Sequence, residues 1–424
     1  MSDLENRLLE AIMAIRAVDC HSHVPAESPH ARSLADLLGY HYYTELAHAA
    51  GMPAEAVEAA RSDGQRVAEL VARLDTFDNT VMHAWLMEAA RELFAFRADR
   101  LTAQNWPELD QVIATLAKQE GRHRAVLAKA RIEKVFLTNR FDEDLAGVDR
   151  EVFVPCLRTD DLIFQLADAE VRRRLAAKTG IEVASADGLR DAAQWLMRYF
   201  TQHGAASAAV SLPPDFVPAA PDEAAAGKAL AKAARERDLA ADERQALAVF
   251  ALDVVAEACR QFRKPFQLMI GVIRNLYPAG VEGGRDLLSK RGSLADYAGL
   301  FTRYPEVNFT VSVLSAAWEH ELVAMARIIP NCIPSGHWWY ANVPAAIEPD
   351  LRARLESVPK TKLIGYYSDM YKVEFGLPKF NMYRRSLARV LAREFVETQR
   401  LTEPQALEIA LLLLHDNPKR IFGL

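Results

Sequence analysis

The 424-residue chain is short of the features that mark secreted, membrane or nucleic-acid-binding proteins. It has only four cysteines, Cys20, Cys156, Cys259 and Cys332, scattered with no CxxC pair among them. That excludes a disulfide framework and predicts a reducing, cytoplasmic setting. No run of about 18 apolar residues occurs, so no membrane span is expected. The opening MSDLENRLLEAIMAI carries acids and lacks a long apolar core. It reads as an amphipathic helix, not a signal peptide. An excess of basic residues is missing too. The net charge of −6 argues against nucleic acid as a main partner, though a local basic pocket for an anionic metabolite is compatible with it. There is no internal repeat beyond a strand–helix unit.

What the chain does have is hydrophobic residues, 50% of the total, enough for one large barrel with insertions or for two domains. Short apolar, β-rich runs recur at Ala14–Cys20, Lys134–Thr138, Val152–Leu157, Ala205–Leu212, Pro265–Val272, Val307–Leu314, Asn331–Ser335 and Lys362–Tyr367. Eight strands alternating with helices predict an α/β fold of the (β/α)8 TIM-barrel type. About 110 residues separate the first two runs, and that stretch is helical in composition over Leu34–Ala49, Pro53–Leu74, Asn79–Phe94 and Trp106–Ala130. We read residues 34–130 as a helical insertion over the barrel mouth, within one domain spanning residues 1–424. Asp222–Arg263 should form one or two long outer helices, and Thr402 has the pattern of an N-cap for a terminal helix.

The most informative motif is Asp19-Cys20-His21-Ser22-His23 at the end of the first run. Residues i and i+2 of a strand share a face, so both imidazoles would aim into one cavity, as two ligands of one metal ion would. The competing reading is a chance His-x-His in a loop. Barrel enzymes keep their chemistry at the C-terminal ends of strands, and Asp369 follows the last run. His21, His23 and Asp369 would give three protein ligands and leave positions open for water or substrate. As an alternative, Asp369 would simply cap a helix. No lysine follows the fourth run, and Met269 stands in the fifth where many barrel metallohydrolases have histidine, so a single metal is favoured. Met269 itself reads as core.

Arg158 and Arg274 follow the third and fifth runs. Either could hold a carboxylate bidentately, or simply make a surface salt bridge. Tyr42, on the predicted insertion, could shuttle a proton or merely pack. Trp338 and Trp339 sit beside a Gly-His turn, where at most one of two adjacent strand residues would wall a pocket. His337, His41 and His320 are weak metal candidates that read better as hydrogen-bonding residues.

Several stretches, in order along the chain, resemble the amidohydrolase superfamily and, within it, a divergent branch of the uronate isomerases. They are Asp19 to His23, Tyr40-His41-Tyr42, Thr138-Asn139 with Phe141-Asp142, Leu157 to Asp160, Ser211 to Pro214, Gly271 to Asn275, Trp338 to Asn342, and Ser368-Asp369. The resemblance implies a (β/α)8 barrel with one divalent metal, usually zinc. The implied reaction interconverts D-glucuronate with D-fructuronate and D-galacturonate with D-tagaturonate. On this resemblance His21, His23 and Asp369 are the metal ligands, Arg158 holds substrate oxygens, Tyr42 assists proton transfer and one tryptophan lines the pocket. The chain also departs from the family. Where the family places an arginine two residues after the aspartate, this chain has Tyr371, followed by Lys372; a His-rich element is replaced by Lys379 to Met382; and the aromatic turn ends in Asn342. Lys372, Arg274 and Lys379 are the candidate sources of the missing charge, with Tyr371 at the substrate.

The expected function is therefore a metal-dependent aldose–ketose isomerase of a small sugar acid, moving a proton between C2 and C1. The alternative is a metal-dependent hydrolase or decarboxylase of a carboxylated small molecule, using the same ligands with Asp369 as base. A third class is a binding protein that keeps the barrel. A homo-oligomer is compatible with all three.

Overall fold

The computed structural model describes residues 2–58, 60–235, 237–289 and 292–424. Strands β1 (Ala17–Asp19), β2 (Ile132–Phe136), β3 (Asn139–Arg140), β4 (Phe153–Val154) and β5 (Cys156–Arg158) lie in the first part of the chain. They are followed by β6 (Ser207–Leu212), β7 (Phe266–Ile270), β8 (Val272–Ile273), β9 (Leu287–Leu288), β10 (Phe309–Val313) and β11 (Cys332–Pro334). One parallel sheet runs β1-β2-β4 and another β11-β10-β7-β6-β5-β3, while β8 and β9 form a separate antiparallel hairpin.

The two sheets are linked by chain continuity. Only Pro155 separates β4 from β5, and a proline has no N–H to give a ladder, so the predicted run Val152–Leu157 is shared between the sheets. Leu137 and Thr138 separate β2 from β3 in the same way. The predicted run Lys362–Tyr367 forms no ladder. It starts on the 3-10 turn Lys360–Lys362 and keeps one parallel bridge, Ser335 to Ile364. Beyond it, the Ser368 amide donates to the Asp19 carboxylate at 2.8 Å and the Asp369 amide donates to the His21 carbonyl at 3.1 Å. Side-chain bonding replaces a regular ladder there, and the segment is tied both to β11 and to the end of β1.

Strands β6, β7 and β10 are buried almost throughout, as parallel strands covered on both faces must be. Met269 lies inside β7 with 4% exposure, in the core as expected. Between β1 and β2 the chain is helical, including Leu34–Leu38, His41–Ala49, Asp63–Val71, Val81–Phe94, Trp106–Leu116 and Arg122–Lys129. The Ala-rich segment forms helices Glu223–Ala233 and Ala241–Phe262. The first buries Ala226, Ala229, Leu230 and Ala233, a small-residue face at helical spacing that lets it pack closely on the second. Thr402 caps the helix Glu403–Leu411 in a reciprocal box with Gln405. All four cysteines are free and buried. Among the described residues, no helix is long and apolar enough to cross a membrane.

Candidate active site

The end of β1 and the segment after Tyr367 meet through backbone bonds, and this brings His21, His23 and Asp369 together. His21 Nε2 lies 3.5 Å and His23 Nε2 3.3 Å from Asp369 Oδ1. A nitrogen or oxygen ligand sits about 2.0–2.2 Å from a zinc-sized ion, so a tetrahedral pair of ligands would stand roughly 3.3 Å apart. The observed spacings match that edge, and one donor atom from each residue lies within 4.8 Å of the other two. His21 and Asp369 are buried, and both His21 Nε2 and Asp369 Oδ1 lack a hydrogen-bond partner among the described residues. Buried polar atoms are nearly always satisfied, so two orphans facing each other fit a shared cation. The imidazoles stand perpendicular, with centroids 5.1 Å apart. Asp369 caps no helix. It sits at φ +54°, a left-handed conformation uncommon for a non-glycine residue and found where the surroundings over-determine it. Burial alone would raise the Asp369 carboxyl, but the two imidazoles hold it well below the usual range.

Tyr42 is buried, and its hydroxyl has no partner among the described residues. Burial, reinforced by the Asp369 charge, pushes its pKa well up, so it is a neutral phenol. His41 lies against it at 4.3 Å between centroids, and burial pushes the His41 pKa down to about 3. Tyr371 stacks on His23 at 5.1 Å and keeps 41% exposure. Burial and Asp369 raise its pKa to about 12, while the Arg158 and Arg274 charges pull the other way. Each arginine also holds an ion pair: Arg158 Nε to Asp160 at 3.2 Å, and Arg274 to Asp286 at 2.6 Å. Lys372 turns away and donates to the Ser28 carbonyl at 2.7 Å.

Trp339 is not on a strand. It opens the 3-10 turn Trp339–Ala341 at φ +45° and meets His41 edge-on at 5.2 Å. Its buried indole N–H has no partner. Trp338 is also buried, with its ring 6.3 Å from that of Trp339. Trp339 is thus the tryptophan on the His41 side. His337 pairs with Asp350 at 2.9 Å beside Arg354, which braces the Gly336 carbonyl, so it supports the turn. His320 is exposed. A cavity of about 570 Å³ lined by Tyr40, His41, Tyr371, Lys372 and Arg66 abuts the cluster without containing it.

Two residues of this site carried no role in the sequence. Asp19 accepts both the amide and the hydroxyl of Ser368, and its place two residues before His21, on the same strand face, was the available signal. Tyr40 donates to the Asp369 carbonyl at 2.5 Å, a contact that no local spacing announces.

The architecture and the cluster define an α/β protein of parallel sheets with a three-residue site able to hold one metal ion. Residues 3–422 match the glucuronate isomerase family, and the chain belongs to it. The uronate isomerase of Xanthomonas oryzae pv. oryzae is 23% identical over 470 residues, covering 99% of this chain and 95% of the relative. Among solved structures, Thermotoga maritima uronate isomerase superposes with a TM-score of 0.90 at 19% identity, covering 100% of this chain and 98% of that one. Caulobacter crescentus glucuronate isomerase gives 0.89 at 18% identity, covering 99% and 94%.

Proposed function

We propose that this protein is a metal-dependent aldose–ketose isomerase of a hexuronate, converting D-glucuronate to D-fructuronate or D-galacturonate to D-tagaturonate. The observation that carries the reading is the convergence of His21, His23 and Asp369; Tyr42 packs on Tyr40, which donates to the Asp369 carbonyl. These three side chains would hold one divalent ion, zinc by the chemistry of the donor set. When bound, that ion would supply Lewis acidity to the sugar carbonyl. The Asp369 carboxylate takes the proton from C2, exchanges it with solvent and delivers a proton to C1. The Tyr42 hydroxyl gives its proton to O1 as the enediol forms and recovers one from the O2 hydroxyl, so protons balance. Arg158 and Arg274 hold the C6 carboxylate, Tyr371 contacts the substrate, and Trp339 walls the sugar.

The backbone links from Ser335 to Ile364 and from His21 to Asp369 support closure of the two sheets into a (β/α)8 barrel. In this reading residues 34–130 are an insertion over its mouth, bringing Tyr42 to the metal, and the single-domain protein works in the cytoplasm. The test is formation of the ketose from each uronate by metal-loaded wild type, chelator-treated protein and His21→Ala. Turnover by wild type alone supports the proposal. Equal turnover by all three removes the metal, and none by loaded wild type on either sugar removes the substrate.

A further inference from the structure

Lys379 has no exposed surface, and its ammonium makes no ion pair among the described residues. Instead Nζ donates to the Ser368 carbonyl at 2.7 Å and to the Tyr40 hydroxyl at 2.8 Å. Its remaining side faces three rings, Trp85 at 4.7 Å, Tyr40 at 4.9 Å and Tyr42 at 5.1 Å. Such an aromatic cage offsets part of the desolvation of a buried cation.

The hydrogen-bond polarity is fixed by chemistry. The Asp369 carbonyl can only accept, so the proton on its 2.5 Å contact with Tyr40 belongs to the phenol. The Tyr40 oxygen therefore accepts from Lys379. All four backbone polar groups of Ser368 and Asp369 are thus held: the two amides by Asp19 and the His21 carbonyl, the two carbonyls by Lys379 and Tyr40. Lys379 serves one carbonyl directly and the other through Tyr40. Those bonds clamp the residue that stands at φ +54°.

We propose that Lys379 is a positioning residue for Asp369, acting through the Ser368 carbonyl and the Tyr40 hydroxyl to hold the carboxylate at the distance a metal ligand requires. The inference rests on the metal reading above. It also gives Lys379 a task different from replacing the charge that Tyr371 lacks, since its ammonium is spent on backbone and rings.

The test is the dissociation constant for zinc alone, by competition with a chromophoric chelator, in wild type, Lys379→Met and Tyr40→Phe, alongside melting of each metal-free protein. Groups that orient metal ligands typically change affinity by about 10- to 100-fold. We expect at least a tenfold loss in Lys379→Met and a smaller loss, roughly fivefold, in Tyr40→Phe, whose ring and lysine are retained. A merely structural lysine would lower the melting temperature and leave zinc affinity unchanged, which overturns the inference. If Lys379→Met does not fold, Tyr40→Phe decides alone, and wild-type affinity in it overturns the relay. If wild type binds no zinc, the metal reading falls and takes this inference with it. If wild type binds and both variants bind equally, only the inference falls.

Discussion

Replacing Arg158 with methionine separates a substrate contact from a structural one. Arg158 pairs with Asp160 at 3.2 Å, and its side chain is 36% exposed. A pair that open to water contributes little to folding, of order 0–1 kcal/mol, and the methionine keeps most of the apolar stem. The urea midpoint should therefore hardly move. Catalysis should respond differently. A guanidinium on a carboxylate makes charge-assisted, bidentate bonds worth roughly 3 kcal/mol, and 1.36 kcal/mol is tenfold in rate. The expected loss in kcat/KM is on the order of 10²-fold. The C6 carboxylate lies far from the atoms that react, so most of the loss should fall on KM. The assay is initial-rate kinetics on D-glucuronate and D-galacturonate, with a urea titration on the same preparations. Unchanged kcat/KM, or a folding loss above about 3 kcal/mol, would show that Arg158 belongs to the scaffold.

Three further outcomes are expected. Gly336 has φ +53°, and a Cβ there would run into the Tyr367 ring, so Gly336→Ala should lower stability by about 2–4 kcal/mol, read by urea unfolding. Burial raises the Glu374 carboxyl from 4.5 to about 7. Its folded form prefers the proton, so its contribution is complete below pH 4.5 and is lost as pH rises through 7. Glu374→Gln should therefore gain on wild type by about 3 kcal/mol between pH 4.5 and 8 in denaturation series, at 1.36 kcal/mol per pH unit, and parallel curves would refute it. Tyr371→Arg should leave wild-type activity on both uronates lowered or unchanged; if wild type is inert and this variant gains turnover, the native substrate is no simple hexuronate.

The alternation of apolar runs was enough to read the parallel α/β architecture, and the long helical stretch between the first two strands followed from composition. What stayed hidden depended on tertiary contact. Pro155 splits one strand between two sheets, and the register of both is needed to see it. The last run keeps one bridge, and beyond it Asp19 and Ser368 bond through side chains. At the site, period-two spacing put His21 and His23 on one face, while the place of Asp369 after the last run left cap and ligand equally open until the resemblance favoured the ligand. The facing of Trp339 was open because the turn at φ +45° is not a strand, so alternation could not decide between the two tryptophans. Tyr40 and Lys379 are separated by 339 residues, and their bond belongs to the fold alone.

The central claim is that His21, His23 and Asp369 support proton transfer between C2 and C1 of a hexuronate. Its most direct test is proton exchange followed by NMR, with zinc-loaded protein and D-glucuronate or D-galacturonate in heavy water. The account predicts that wild type forms the ketose with deuterium entering at C1, and at C2 of the recovered aldose, and that His21→Ala does neither. Ketose formation by His21→Ala at the wild-type rate, or no exchange and no ketose with wild type on either sugar, would contradict it.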